Sequence, residues 1–215
     1  MKSFAKLLTV VVAAIVFSIG MGAAPAQARD GGLAFNLALD FRTVDTYFVR
    51  SPQYFDGSFS LTGLKAEGQF DIRADKLTIS PGLGLAYFFS GEYDYTAAGP
   101  TTYTGKDATA VEVDLFVQGA YEVAPKISVL GRMGLAYMAI FAYEDPFGEA
   151  FDVEVTDLYL SIGGQYEISD QLAAALTYRF VMAEVDSYTD YWSAGDASLD
   201  SYSNSGFQAK LTFKF

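Results

Sequence analysis

The stretch that most constrains this chain is its last nine residues, Phe207-Gln-Ala-Lys-Leu-Thr-Phe-Lys-Phe215. Apolar side chains stand at 207, 209, 211, 213 and 215, and polar ones at 208, 210, 212 and 214. Side chains of a strand alternate between its faces. One face is therefore wholly apolar, and the other carries Gln208, Lys210, Thr212 and Lys214. Such an apolar face needs a second layer, either packed protein or the acyl chains of a bilayer. Beyond the first thirty residues no stretch is long and apolar enough for a membrane helix. A bilayer span would then be built from strands closed into a ring, because lipid leaves no backbone group unpaired. Similar strands should fill the rest of the chain.

They do. Leu33, Phe35, Leu37, Leu39 and Phe41 share one face of a first strand, with Asn36, Asp40 and Arg42 on the other. A second strand sets Leu64, Ala66, Gly68, Phe70 and Ile72 against Lys65, Glu67, Gln69, Asp71 and Arg73. Its upper residues Phe59 and Leu61 have the opposite parity, and one extra residue would reset the pleat. A β-bulge is expected near Gly63. Five further alternating segments follow: Leu77 to Phe89, Val111 to Tyr121, Ile127 to Phe141, Leu158 to Tyr166 and Leu172 to Met182. Val153 and Val155 break parity above the sixth strand as Phe59 and Leu61 do above the second. Short turns are expected at about 75, 124 and 169, and long loops at about 46–56, 91–107, 142–152 and 184–202. Alternating short and long connections between an even number of strands predict an all-β, eight-stranded antiparallel up-and-down transmembrane barrel. Both termini would lie at the short-turn, periplasmic end, and the long loops outside the cell.

A soluble ligand-carrying barrel also alternates, but it keeps its apolar face inside. Here the apolar face carries aromatics near both strand ends. Phe35, Phe70, Tyr121, Tyr166, Phe213 and Phe215 form a low set, and Phe41, Tyr87, Phe89, Tyr137, Phe141, Tyr178, Phe180 and Phe207 a high one. Two aromatic girdles suit the two interfaces of a bilayer. The polar face then lines the lumen. Asp40, Glu67, Asp71, Glu112, Asp114 and Asp157 would meet Arg42, Lys65, Arg73, Arg132, Arg179 and Lys210 there. An eight-stranded ring is only wide enough for side chains to fill it, which favours a salt-bridged plug. The alternative is a narrow porin-like channel for ions or small solutes, which would need a polar path past Phe116 and Tyr159.

At the start of the chain, Lys2 and Lys6 precede an apolar run from Leu7 to Gly20, and small residues end in Ala26-Gln27-Ala28. That order is the pattern of a secretory signal peptide cleaved after Ala28, with Ala26 and Ala28 as the small residues at the cut. The expected division is a signal peptide, 1–28, and a single barrel domain, 29–215. The whole chain has a net charge of −12, and removing Lys2 and Lys6 makes the remainder more acidic. Most of that charge falls in the expected long loops, where acids alternate with Tyr and the only bases are Arg50 and Lys106. An acidic, tyrosine-rich rim suits contact with a surface ligand and argues against nucleic acid. The chain has no histidine and no cysteine. A Ser–His nucleophile pair and His or thiolate metal sites are therefore excluded. No phosphate-binding or dinucleotide-binding motif is present. No cofactor and no enzymatic activity are expected.

Taken together, the signal pattern, the eight alternating strands and the terminal Phe207-x-x-x-Leu211-x-Phe213-x-Phe215 resemble the small eight-stranded bacterial outer-membrane barrels. These are the OmpA transmembrane domain, the OmpX and Ail proteins, the OmpW group and the opacity proteins. The resemblance implies a Gram-negative outer-membrane location with lipid around the barrel. It also implies that Phe207, Leu211, Phe213 and Phe215 form the C-terminal signal read by the barrel-assembly machinery and periplasmic chaperones. A monomer with a structural or cell-surface interaction role is expected.

Overall fold

The structure, a computed structural model, describes residues 31–50, 53–97, 102–142, 151–191 and 198–215. The expected signal peptide and its cleavage residues Ala26 and Ala28 lie outside them. Eight strands run in chain order: β1 (Gly32–Arg50), β2 (Gln53–Ala74), β3 (Leu77–Ala97), β4 (Thr102–Ala124), β5 (Ile127–Ala142), β6 (Phe151–Ser169), β7 (Leu172–Tyr191) and β8 (Ser198–Lys214). Each pairs antiparallel with its neighbours, and β8 closes the barrel on β1. The terminal segment sits on that closure, with Phe213 opposite Phe35, Leu211 opposite Leu37 and Phe207 opposite Phe41.

Two-residue turns at 75–76, 125–126 and 170–171 join the strands at one end. Pro125 presets its own φ, and Lys126 then adopts φ 67°, the positive angle a type II turn requires at that position. Each turn is tied to the next hairpin by a backbone bond: Glu122 N–H to the Lys76 carbonyl, Glu167 N–H to Lys126 and Lys214 N–H to Gln171.

The strands are 16 to 23 residues long, whereas about 9–11 residues cross a bilayer. The surplus lies at the end away from the short turns. Much of what reads as loop by composition is paired strand. β1 and β2 stay in register up to Arg50 and Gln53, and β3 and β4 pair up to Thr96 and Thr102. β7 runs to Tyr191, and β8 begins at Ser198. The Thr, Tyr and Ser of these stretches fit a solvated, pleated hairpin as readily as a loop.

Along the barrel axis the polarity of the wall inverts. In the lower part Leu33, Leu37, Phe41, Leu64, Leu85, Val129, Ile162 and Leu176 are exposed on the outside, while Asp40, Lys65, Glu112 and Arg132 are buried inside. An apolar patch of that extent, running round a closed barrel, belongs against lipid. Higher up the outside turns polar, with Thr43, Asp45, Ser60, Glu92 and Asp94 exposed. There the inside turns apolar: Val44, Phe59, Leu61, Phe88, Ile140, Val153 and Val155 are buried. The barrel therefore leaves the membrane as a lipid-facing wall and continues above it as a water-facing one.

This inversion corrects the expected bulge near Gly63. The β1–β2 register runs without a shift through Leu61, Gly63 and Lys65, and all three point inward. β2 keeps its pleat; what changes across Gly63 is the surrounding solvent. The same holds for Val153 and Val155 on β6, which share the inward face with Asp157. The bulge at this level is on β3. Thr62 pairs with Ser90 and Gly63 with Phe88, which leaves Phe89 as the extra residue. It allows both Phe88 and Tyr93, five residues apart, to face the interior.

Candidate functional site

The lumen is built in three levels. At the short-turn end a polar vestibule of about 250 Å³ is lined by Gln69, Asp71, Arg73, Ser80, Gln118 and Lys214, among others. Two residues expected in the central network sit here instead. Asp71 accepts from Ser80 and Gln69, both at 2.7 Å. Arg73 is exposed, 3.7 Å from Glu122. Both lie where the strands reach the mouth, so water rather than a partner solvates much of their charge.

Above the vestibule the other ten residues of that set come together, five acids and five bases, all nearly inaccessible. Arg132 forks onto Glu67, with Nη1 2.5 Å from Oε1 and Nη2 2.8 Å from Oε2. Arg179 holds Glu112 at 2.9 Å and Asp157 at 2.8 Å. Lys65 bridges Glu112 at 3.0 Å and Asp114 at 3.1 Å. Arg42 binds its own strand's Asp40 through two nitrogens, at 2.5 and 2.7 Å. Lys210 donates to Gln118 at 2.9 Å and lies 3.7 Å from Glu67. Every buried charge has an opposite partner, the condition under which a desolvated ion is tolerated.

Two aromatic rings complete this level. The guanidinium of Arg132 lies 3.8 Å from the centroid of Phe116, and that of Arg179 lies 3.7 Å from the centroid of Tyr159. The Nε atoms of both arginines lack a hydrogen-bond acceptor, and the ring faces supply the electrostatic partner instead. The Tyr159 hydroxyl donates to Asp114. Space for these groups comes from glycines opposite. A Cβ at Gly134 would lie 2.6 Å from the Tyr159 ring, and one at Gly84 would collide with the Asp114 carboxylate.

The third level is an apolar plug of Val44, Phe59, Leu61, Phe88, Tyr93, Met138, Ile140, Val153 and Val155, with small alanines between them. Phe59 and Tyr93 stack with centroids 4.3 Å apart. The plug and the hydrogen-bonding roles of Asn36, Gln118, Tyr159, Tyr202, Asn204 and Gln208 were not drawn from the sequence. The signal for the plug was present, since Phe59, Leu61, Val153 and Val155 are the residues whose parity broke.

Outside the lumen, the water-facing collar carries Asp45, Asp56, Glu92, Asp94, Asp107 and Glu184 as exposed acids. Asp45 accepts from Ser58 at 2.7 Å and from Ser203 at 3.2 Å. Among the described residues no cluster of three or more acids is arranged to hold a metal ion. Of the expected long loops, residues 143–150, with Glu144 and Asp145, and residues 192–197, with Trp192, fall outside the described residues.

A closed eight-stranded barrel with an apolar outer belt and a packed polar lumen has the architecture of the small outer-membrane barrels. No family model matches the chain, and no curated protein matches it. Solved structures do. OprG from Pseudomonas aeruginosa superposes with a TM-score of 0.56 at 13% identity, over 87% of this chain and 98% of that one. Ail of Yersinia pestis, in complex with the heparin analogue sucrose octasulfate, gives 0.52 at 10% identity over 86% and 99%. Neisserial surface protein A gives 0.50 at 10% identity over 87% and 100%. At these identities what is shared is the fold.

Proposed function

We propose that this protein is an integral outer-membrane barrel that conducts no solute and serves as a rigid scaffold presenting an acidic surface outside the cell. The observation that carries this reading is the double closure of the lumen. A neutral salt-bridged layer lies beneath an apolar plug, and an ion on this path would strip its hydration against Phe59, Tyr93 and Ile140. A porin-like role would require both levels to open together. Strands up to about twice the length a bilayer needs, polar outside and apolar inside above the lipid, are an economical way to hold a binding surface clear of the membrane.

Among the described residues the buried acids of the charged level are each engaged by Arg or Lys, which supports a structural role for them. The acidic collar favours a basic partner, in contrast to Ail, whose complex holds a polysulfated ligand. The short-turn end is assigned to the periplasm and the collar to the cell exterior. This orientation is tested by protease treatment of intact cells. Cleavage is expected in the collar, while an epitope inserted between Pro125 and Lys126 should stay protected until the outer membrane is opened. Protection of the collar and loss of the epitope would reverse the assignment.

A further inference from the structure

The ladder between β7 and β8 ends at Phe180 and Ser205, although β7 continues to Tyr191 and β8 begins at Ser198. Above that level β7 pairs with β6 up to Tyr191, skipping Met182 and Val185, and β8 pairs with β1 from Ser198, skipping Asp200. Among the described residues no pairing joins the two strands there. The barrel is closed at the level of the lipid belt and split along one seam in the collar. Each side of the split presents an unpaired row of backbone N–H and C=O groups, a template for another strand.

On its β8 side the seam stands above the apolar belt, while on its β7 side Met182 and Val185 are exposed beside Glu184. The apolar belt reaches Phe207 on β8, and above it Ser203 and Ser201 are exposed. At its base Tyr202 and Asn204 reach across to Asp157 on β6, at 3.0 and 3.4 Å. The seam therefore has a polar floor, built on Asp157 of the charged layer. Acids predominate around it, with Arg50 at the end of β1 the exception. On the other side of β8, across β1, β2 and β3, a groove of about 500 Å³ is lined by Asp45, Asp56 and Asp94 with Ser58, Ser201 and Ser203. The two free stretches contain Glu184, Asp186, Asp190 and Asp200 and no Lys or Arg.

We propose that this seam accepts an extended, positively charged segment of a partner polypeptide as an added strand. Backbone pairing supplies the affinity, and the flanking acids select a basic partner over an acidic one. The inference rests on the reading of the barrel as a surface scaffold and names the partner's chemistry.

The test uses the full mature barrel in nanodiscs of uncharged lipid. The probe is a labelled peptide of alternating Lys and Thr, followed by fluorescence anisotropy. Binding is expected for this peptide and not for its Glu–Thr counterpart. N-methylation of alternate backbone nitrogens keeps the charge but removes donors, and should weaken binding by about tenfold or more. The chain has no cysteine, so a Ser187→Cys/Ser198→Cys pair, placed where a continued ladder would oppose them, can staple the seam. The oxidised pair should lose binding to the same degree, and reduction should restore it. No binding of the Lys–Thr peptide overturns the proposal. So does equal binding of the N-methylated peptide or of the oxidised pair, since charge alone would then explain it. Occupation of the seam by a second copy, seen as a disulfide-linked dimer of the Ser187→Cys variant, also overturns it. A bilayer current through the wild-type barrel would instead remove the scaffold reading beneath it, so the two failures are distinguishable.

Discussion

The guanidinium of Arg179 lies over the ring of Tyr159, 3.7 Å from its centroid. The two residues come from adjacent strands, β7 and β6, and each also holds an acid, Glu112 and Asp157 for Arg179 and Asp114 for Tyr159. One stacked pair thus ties three carboxylates from two strands into a single level of the lumen. Removing either member should loosen the network more than one hydrogen bond would suggest.

Tyr159→Phe keeps the ring under Arg179 and removes the donor to Asp114. Asp114 then depends on Lys65. A loss of about 1–3 kcal/mol is expected, read by urea unfolding of the barrel in liposomes. Tyr159→Leu, which also removes the ring face, should cost more. Gly134→Ala should approach the same loss by a different route, because its Cβ meets the Leu115 carbonyl as well as the ring, both at 2.6 Å, and a backbone oxygen in a ladder has little freedom to move. Wild-type stability in all three variants would mean the level is not packed as described.

Glu67 and Arg132 form a two-point fork between β2 and β5. Glu67→Gln or Arg132→Met alone leaves a buried ion without its main partner and should cost about 3–5 kcal/mol. Both changes together should cost clearly less than their sum, because no orphaned charge of that pair remains. Strictly additive losses in the same unfolding assay would count against direct pairing.

The inversion of the wall is tested on a single face of β1. Leu37 and Thr43 both point outward, Leu37 within the apolar belt and Thr43 above it. Leu37→Arg should destabilise the folded barrel by about 2–4 kcal/mol and Thr43→Arg by about 0–1 kcal/mol. Equal costs would place the membrane boundary elsewhere.

The lower barrel was legible in the sequence for a simple reason. Lipid outside and charge inside impose opposite demands on alternate residues, so Leu33 to Phe41 and Phe207 to Phe215 declare their faces outright. The upper barrel obeys the same period with the solvents exchanged. Phe59 and Leu61 read as a shifted pleat because one polarity per face was assumed along the whole strand. They are inward throughout, in line with Lys65 and Glu67. Pairing within the lumen was legible only as a balance of sign. That Lys65 of β2 would reach Glu112 of β4, past the intervening strand, depends on the tilt of the barrel and on Gly84 leaving room beside Asp114. Asp71 and Arg73 share the inward periodicity of β2 but lie too near its end to be buried, since period alone does not report depth. The seam between β7 and β8 could not be read at all, because its residues, 184–202, read as a loop by composition.

The most direct test of a sealed lumen is the conductance of the refolded barrel, residues 29–215, in a planar bilayer, with folding verified by its heat-shifted gel mobility. A barrel closed by the charged level and the apolar plug passes no steady current. Sustained single-channel openings, altered in size or selectivity by Arg132→Met or Glu112→Gln, would show a continuous path through the lumen and contradict the scaffold reading.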